Sequence, residues 1–141
     1  MKQDLVKDWM TREVITVSPD ASLPQAHRLM TRHNIRRLPV LKNDRLVGIV
    51  TRGDVRGAEP SGATSLSIWE INYILAKLKI KDIMTLDPLT VSEEATISEV
   101  AQTMLDRKIS GLPVVNSNNE LVGIITESDI FRIIVQTWQE S

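Results

Sequence analysis

The chain contains one sequence unit twice, and this repeat limits the folds it can adopt more than any other feature. The first copy runs from Lys7 to Asp54 and the second from Lys81 to Asp129, so the shift grows from 74 to 75 residues through one insertion in a turn. About 19 of roughly 49 aligned positions are identical, several times what chance would give. The most similar segments are 7–11 with 81–85, 16–18 with 90–92, 38–40 with 112–114, and 46–54 with 121–129. Two copies of one unit predict a pseudo-twofold pairing with two equivalent clefts.

Composition excludes several classes of protein. The chain has 141 residues, enough for one typical domain, with 42% hydrophobic residues and a formal net charge of -1. These values give no indication of disorder, a membrane span or a surface that coats nucleic acid. Cysteine is absent, and two histidines, His27 and His33, are too few for a histidine-only metal cluster. We therefore expect a cytoplasmic protein that requires no cofactor.

Each repeat is predicted to be a small α+β unit. β-Prone runs at 15–17 and 89–91 precede helices that begin at Ser22 and Thr96, each with a Gln or Glu three residues later, as in a capping box. Apolar residues follow at helical spacing in both copies, so each helix should bury one face. Two apolar runs joined by a short polar turn come next, which predicts a hairpin. The predicted hairpin strands are 38–41 and 46–50 in the first copy and 112–115 and 121–125 in the second.

The ordered set of Met-Thr, Thr-Val, a helix, Leu-Pro-Val and Gly-Ile-x-Thr-x-x-Asp resembles the cystathionine-β-synthase (CBS) domain. It occurs here in tandem and covers everything except the termini and residues 57–79. The resemblance implies an α+β fold in which two CBS units, 1–56 and 80–141, pair by pseudo-twofold symmetry into one CBS-pair module, with 57–79 as linker and connecting helix. It also implies that the module senses an adenosine-containing ligand in the cleft between its CBS units and catalyses nothing by itself.

A ligand site also follows from the residues at the end of each hairpin. Thr51-x-x-Asp54 and Thr126-x-x-Asp129 stand where a buried strand gives way to a helix, whose N-terminal N–H groups suit a phosphate. The threonine hydroxyl adds a donor, and the aspartate can accept from the two vicinal hydroxyls of a ribose. The alternative is that both aspartates only cap their helices. The motif alone leaves both readings open, and the CBS resemblance favours the ligand.

The resemblance assigns residues from both repeats to each of two sites. The first site combines Thr51, Asp54 and Arg37 with Thr90, Ile109 and Ser110, and Arg52 adds a positive charge beside Thr51. The second site combines Thr126 and Asp129 with Thr16, Ile35 and Arg36. We rank the first site higher, because Arg37 aligns with Gly111 and Arg52 with Glu127, and charge-assisted contacts to phosphate are about twice as strong as neutral ones. The alternative is that the arginines of the first repeat form a solvated basic surface.

The stretch between the repeats contains a helix that is predicted to lie in an interface. Residues 57–65 have the Gly, Pro and Ser content of a loop, and 68–78 are predicted to be helical, with Ser67 as N-cap and Glu70 three residues on. The helix is apolar on more than one face, and its Trp and Tyr are residue types favoured at interface cores. We predict that it packs against a second copy of the chain in a homodimer. The alternative is that it covers one end of its own module.

The sequence therefore predicts a regulatory ligand-sensing module and not an enzyme. The ligand would be AMP, ADP, ATP or S-adenosylmethionine, which share the groups that Asp54 would contact, and the output would pass to a separate effector protein. The second hypothesis is a protein-interaction module whose nucleotide clefts are empty. An enzyme is disfavoured because no Ser-His-acid pattern, metal-binding pair or glycine-rich phosphate loop is present. A nucleic-acid binder is disfavoured by the net charge of -1.

Overall fold

Two units of mixed helices and short strands make up the chain in a computed structural model that describes residues 4–59 and 65–140. Unit 1 consists of residues 1–14 and 89–141, and unit 2 of residues 15–88. The α+β fold class predicted from the sequence is confirmed. The loop predicted at 57–65 begins too early, because Gly57 and Ala58 are the last two residues of a helix, and residues 60–64 lie outside the described residues.

The elements follow the order predicted from the two repeats. Unit 2 contains α2 (Leu23–His33), β1 (Arg37–Lys42), β2 (Arg45–Thr51), α3 (Arg52–Ala58), α4 (Ile68–Lys77), α5 (Ile80–Ile83) and β3 (Thr85–Leu86). Unit 1 contains α1 (Val6–Trp9), β4 (Val91–Ser92), α6 (Ile97–Arg107), β5 (Gly111–Val115), β6 (Leu121–Thr126) and α7 (Glu127–Glu140). No helix in the described parts of the chain is long and apolar enough to cross a membrane.

The hairpin of each repeat forms the centre of a three-stranded sheet. In unit 2 the order is β1-β2-β3 and all pairs are antiparallel. In unit 1 the order is β4-β5-β6, with β4 parallel to β5 and β5 antiparallel to β6. A single bridge in each sheet stands in the place of a strand pair of the other sheet. In unit 2, Val17 pairs in parallel with Val40, as β4 does with β5 in unit 1. In unit 1, Thr11 pairs antiparallel with Ile124, as β3 does with β2 in unit 2. The two units therefore repeat one arrangement.

The first residues of each repeat do not pack with the rest of their own repeat. They pack in the compact unit that contains the helix and hairpin of the other repeat. Residues 4–14 precede the first repeat's helix in sequence, yet the N–H of Val6 donates to the Ala95 oxygen at 2.9 Å and Thr11 exchanges hydrogen bonds with Ile124. In the same way, the N–H of Ile80 donates to the Ala21 oxygen at 2.9 Å. The sequence repeats and the compact units are thus two different divisions of the chain.

A salt bridge links the segment 4–14 to the part of unit 1 that belongs to the second repeat. The Lys7 ammonium lies 3.1 Å from Glu94 Oε1. The hydrogen bond to Glu94, together with its negative charge, raises the pKa of Lys7. The pair is exposed, so we expect it to contribute little to stability.

Each unit has its own apolar core. The buried core of unit 1 comprises Val6, Met10, Ile97, Val100, Met104, Leu112, Val114, Ile125 and Ile133. That of unit 2 comprises Val17, Leu23, Ala26, Met30, Leu38, Val40, Val50, Val55 and Ile80. Val6 and Met10 in one core and Ile80 in the other belong to the exchanged segments. The exchange therefore supplies apolar residues that each sheet needs to cover its face.

The helix caps match the sequence prediction in two of three cases. Ser22 with Gln25, and Ser67 with Glu70, form reciprocal capping boxes. Thr96 accepts from the Glu99 N–H at 3.1 Å, but no return bond from the Glu99 side chain forms, so the box predicted there is wrong and the cap is one-sided. The N–H of Ile97, the first residue of this helix, donates to the Asp4 oxygen at 2.8 Å.

Candidate functional site

The register of the first hairpin brings two predicted site residues face to face. Arg37, at the start of β1, is paired with Thr51, at the end of β2. Directly opposite residues of an antiparallel pair project from the same face of the sheet, so both side chains lie on one side. The pairing continues one step further, because the N–H of Arg52 donates to the Arg36 oxygen at 2.7 Å. The end of the hairpin and the start of α3 thus form one local site.

A cavity of about 420 Å3 opens at this point, and four of its six lining residues are arginines. The lining comprises Arg36, Arg37, Thr51, Arg52, Gly53 and Arg56. All six belong to unit 2, so the cavity is contained in that unit. Three members of the predicted first site, Arg37, Thr51 and Arg52, lie here together. Arg36, which we assigned to the second site, lines the same cavity.

The arginine side chains of the cavity differ in exposure and in their partners. Arg37 and Arg52 are half-buried, whereas Arg36 and Arg56 are exposed. Arg52 Nη2 lies 3.4 Å from the Ile35 oxygen. Arg36, Arg52 and Arg56 form no ion pair with any residue within 4–59 or 65–140. Like charges this close raise the electrostatic potential of the cavity and favour an anionic ligand.

Thr51 and Asp54 cap the helix that follows them. Thr51 Oγ1 accepts from the Asp54 N–H at 3.1 Å, and Asp54 Oδ2 accepts from the Thr51 N–H at 2.9 Å. The capping role considered from the sequence is therefore present, and one of the N-terminal N–H groups expected to suit a phosphate, that of Asp54, is occupied. Two groups of these side chains remain for a ligand: the hydroxyl hydrogen of Thr51, and Asp54 Oδ1, which receives no hydrogen bond from the described residues.

The equivalent aspartate of the second repeat is fully engaged by its own unit. Asp129 is only 2% exposed. Its Oδ2 accepts from the Thr126 N–H at 2.9 Å, and its Oδ1 accepts from Arg132 Nη1 at 2.8 Å. Sequence reasoning missed Arg132, which lies outside the aligned repeat. The signal was present, since extending the alignment by three residues places Arg132 opposite Gly57.

The second repeat has a cavity in the equivalent place but with different chemistry. It measures about 460 Å3 and is lined mainly by apolar side chains of α6 and α7, including Met104, Leu105, Ile130 and Phe131. Ile109 and Ser110, assigned to the first site, also line it, together with one cation, Lys108, and one anion, Glu127. The residues aligned with the four arginines of unit 2 are Ser110, Gly111, Glu127 and Phe131. No cation therefore stands at these positions in unit 1.

The other predicted residues occupy matching places in the two units. Thr16 directly precedes the bridge at Val17, and Thr90 directly precedes β4; both are half-buried. Ile35 is half-buried and packs against the core of unit 2. Ile109 does the same in unit 1. The assignment of these residues to sites shared by both repeats stays a prediction. Across the described ranges, no group of three or more His, Cys, Asp or Glu could hold a metal ion.

Comparison with known proteins identifies the family. The sequence profile of the CBS domain matches residues 6–61 and residues 80–136. The chain belongs to the CBS domain family. The two matches coincide with the two sequence repeats, and the chain is a tandem CBS pair.

Among the relatives of this CBS pair is an inosine-5′-monophosphate dehydrogenase of Korarchaeum cryptofilum, 43% identical over 125 residues. The match covers 89% of this chain but 23% of that enzyme. In the first curated relatives that it matches, the chain spans between about a fifth and a half of the full length. The similarity thus concerns one segment of these longer proteins.

Two solved structures have the same fold along their whole length and contain ligands. The CBS domain pair of protein MJ0100, in complex with 5′-methylthioadenosine and S-adenosyl-L-methionine, is 33% identical with a TM-score of 0.75; 92% of this chain and 98% of that chain are covered. CBSX2 of Arabidopsis thaliana, in complex with AMP, is 27% identical with a TM-score of 0.79, and the coverage is 95% and 98%. Both of these CBS pairs therefore bind adenosine-containing ligands.

Proposed function

We propose that this CBS pair is a regulatory module that binds an adenosine-containing nucleotide and is not itself an enzyme. The observation that carries the proposal is the arginine-lined cavity of unit 2 beside Asp54, whose Oδ1 is open to a ligand. The related CBS pairs that hold AMP or S-adenosylmethionine give independent support.

Each polar group at this site has a role suited to one part of such a ligand. Asp54 Oδ1 accepts a hydrogen bond from a ribose hydroxyl, while Oδ2 keeps the side chain fixed through the cap. Arg37 and Arg52 contact phosphate, where their charge strengthens each hydrogen bond. The Thr51 hydroxyl donates its hydrogen to the ligand, because its oxygen already accepts from Asp54. Thr90, Ile109 and Ser110 are the proposed adenine contacts.

The proposed second site, with Asp129, Thr126, Thr16, Ile35 and Arg36, is the weaker one. Asp129 can accept from a ribose only if the bond from Arg132 to Oδ1 is given up or shared. A ligand there must replace a charge-assisted hydrogen bond, which costs part of its binding free energy. The first site has no such competitor at Asp54. We therefore propose that the first site fills at lower ligand concentration.

Regulation requires that the ligand prefer one of two states of the protein. A ligand can shift such an equilibrium only by its difference in affinity for the two states. A charged ligand that brings the arginines of the cavity together would favour a state in which they are close. We propose that a separate effector protein reads this change. Cytoplasmic residence stays a prediction of the sequence.

We also propose that the chain is a homodimer. Four large apolar residues of α4 are exposed: Ile68, Trp69, Tyr73 and Ile74. Leu75 of the same helix packs against the core of unit 2, so the chain's own residues cover part of the helix surface. Lys77 lies 4.4 Å from the centroid of the Tyr73 ring, but a single cation covers little of this surface. A second copy of the helix would bury it by isologous packing.

The alternative function is a protein-interaction module with empty nucleotide clefts. It is favoured by a second exposed apolar stripe, formed on α7 by Phe131, Val135 and Trp138. These positions are spaced by four and three residues, so they share one helix face. A partner protein could bind there without any nucleotide.

Calorimetric titration of the full chain distinguishes the two functions. AMP, ADP, ATP and S-adenosylmethionine are titrated separately into the unmodified protein. The proposal predicts saturable binding of at least one ligand with a stoichiometry of one or two per chain. Absence of binding for all four at millimolar concentration would leave the interaction module as the better account.

A further inference from the structure

The arginines of the unit 2 cavity are not needed by the fold. Unit 1 forms the same hairpin register, with Gly111 paired to Thr126 as Arg37 is paired to Thr51. It does so with Ser, Gly, Glu and Phe at the four positions where unit 2 has arginine. The same local structure thus forms in one chain with and without these arginines. The fold alone therefore does not explain why they are present.

Three of the four arginines also have no ion-pair partner among the described residues. Asp54 is the one acidic residue directly beside the lining, between Gly53 and Arg56 in sequence. Arg36, Arg52 and Arg56 form no ion pair with any residue that the structure describes. By contrast, the buried Asp129 of unit 1 is paired with Arg132. The guanidinium groups of Arg36, Arg52 and Arg56 around about 420 Å3 repel one another, and an anion with several charges relieves this repulsion.

The four arginines are spread from the end of the hairpin along helix α3. Arg52 and Arg56 are four residues apart on α3, so they lie on one helix face with their Cβ atoms about 5–6 Å apart. Arg37 and Thr51 lie at the hairpin end, where α3 begins. A row of cations from the hairpin end along the helix fits a chain of phosphates better than one phosphate.

We infer that this cavity selects its ligand by phosphate number: it takes a nucleoside di- or triphosphate more tightly than a monophosphate, and it rejects S-adenosylmethionine. Arg56 and Arg36, which the sequence analysis did not place with Asp54, act on the outer phosphates. S-adenosylmethionine carries a positive sulfonium where a nucleotide carries phosphate, so the arginines repel it. The inference rests on the proposed function, since it presumes that an adenosine ligand occupies the site.

The test is calorimetric titration of the full chain with adenosine, AMP, ADP, ATP, S-adenosylmethionine and inorganic pyrophosphate. Arg52→Gln and Arg56→Gln remove one cavity charge each. Arg45→Gln is the matched control, because Arg45 is an exposed arginine of the same unit outside the cavity. Circular dichroism checks that each variant is folded.

We expect affinity to rise from AMP to ADP to ATP and S-adenosylmethionine to bind least. Arg52→Gln should weaken ATP binding about tenfold, as the loss of one charge-assisted hydrogen bond predicts. Arg56→Gln should weaken it about threefold, because this side chain is exposed. Adenosine binding should change in neither variant, and Arg45→Gln should leave all affinities as they are.

Several results would overturn the inference. These are S-adenosylmethionine binding as tightly as ATP, an equal loss of adenosine and ATP affinity in Arg52→Gln, or pyrophosphate binding as tightly as ADP, which would mean that the nucleoside contributes nothing. Equal affinity for AMP and ATP overturns the inference but keeps the proposed function. Binding of no adenosine compound removes the proposed function as well.

Discussion

Arg132 donates a hydrogen bond from Nη1 to Asp129 Oδ1 at 2.8 Å, and this bond occupies the carboxylate oxygen that the helix cap leaves open. Gly57 stands at the equivalent position of the first repeat, three residues after Asp54, and has no side chain that could do the same. The two repeats therefore share a capping motif but differ in what the aspartate can still bind.

Gly57→Arg should make the first site resemble the second, in which an arginine occupies Oδ1 of the aspartate. The new guanidinium would stand three residues after Asp54, as Arg132 does after Asp129, and would compete with the ribose for Oδ1. Adenosine is the ligand to titrate, because it has the ribose but no phosphate that an added cation would attract. We expect its affinity to fall about threefold or more, the scale of an exposed ion pair. Gly57→Ala is the control and should bind as the unmodified chain does; equal binding by both variants would remove the role of Oδ1.

Asp129→Ala should destabilise the protein more than Asp54→Ala. Both substitutions remove a capping acceptor, but Asp129 is 2% exposed and also accepts from Arg132, whereas Asp54 is half-buried. We expect the free energy of unfolding to fall by about 1–3 kcal/mol for Asp129→Ala and by about 1 kcal/mol for Asp54→Ala. Urea denaturation followed by circular dichroism measures both. A larger loss for Asp54→Ala would contradict the assignment of Asp129 to a structural role.

Gly123→Ala and Gly48→Ala should each destabilise the chain, because an exchanged segment passes too close. A Cβ at Gly123 would stand 2.5 Å from Met10 Sδ and 2.9 Å from the Thr11 oxygen, and one at Gly48 would stand 2.7 Å from Met84 Sδ. The methionine can move but the backbone oxygen cannot easily follow, so we expect a loss of about 1–3 kcal/mol for each. Urea denaturation provides the measurement.

The control for these glycine substitutions is Gly57→Ala in α3, where a Cβ meets no atom within 4 Å. This change should stabilise the protein by about 0.5–1 kcal/mol, since alanine is the better helix former. Unchanged stability in Gly48→Ala and Gly123→Ala would show that the segments are packed less tightly than described.

The homodimer is tested by placing charges on α4. Trp69 is 81% and Tyr73 62% exposed, so Trp69→Glu with Tyr73→Glu should cost the isolated chain little. We expect the double variant to have half the molar mass of the unmodified protein in light scattering, with native circular dichroism. Leu86→Glu is the control, because Leu86 is also an exposed apolar residue, at 66%, but lies outside α4. If the unmodified protein is already a monomer at micromolar concentration, the dimer proposal fails.

Features set by local sequence were predictable. The strands β1, β2, β5 and β6, the helices α2, α4 and α6, and the caps at Ser22 and Ser67 all depend on residues within a few positions of one another. Their signals are hydrophobic periodicity and capping chemistry, which a single sequence displays.

The exchange of the opening segments could not be predicted, because both repeats have the same contact residues. Met10 packs at Gly123 and Met84 at Gly48, yet the sequence would equally allow each methionine to meet the glycine of its own repeat. Arg132 was missed for a different reason. Family patterns carry over only the aligned motif, and the residue that closes off Asp129 lies three positions beyond it.

The most direct test of the account is ATP titration of Asp54→Asn beside the unmodified chain. Asparagine can still accept from the Thr51 N–H, so the cap is kept while the charge that faces the ligand is lost. We expect ATP to bind the unmodified chain and Asp54→Asn to weaken this binding about tenfold. Asp129→Asn should leave the affinity of the first site for ATP unchanged. Equal ATP affinity in the unmodified chain and Asp54→Asn, or a loss confined to Asp129→Asn, would contradict the account.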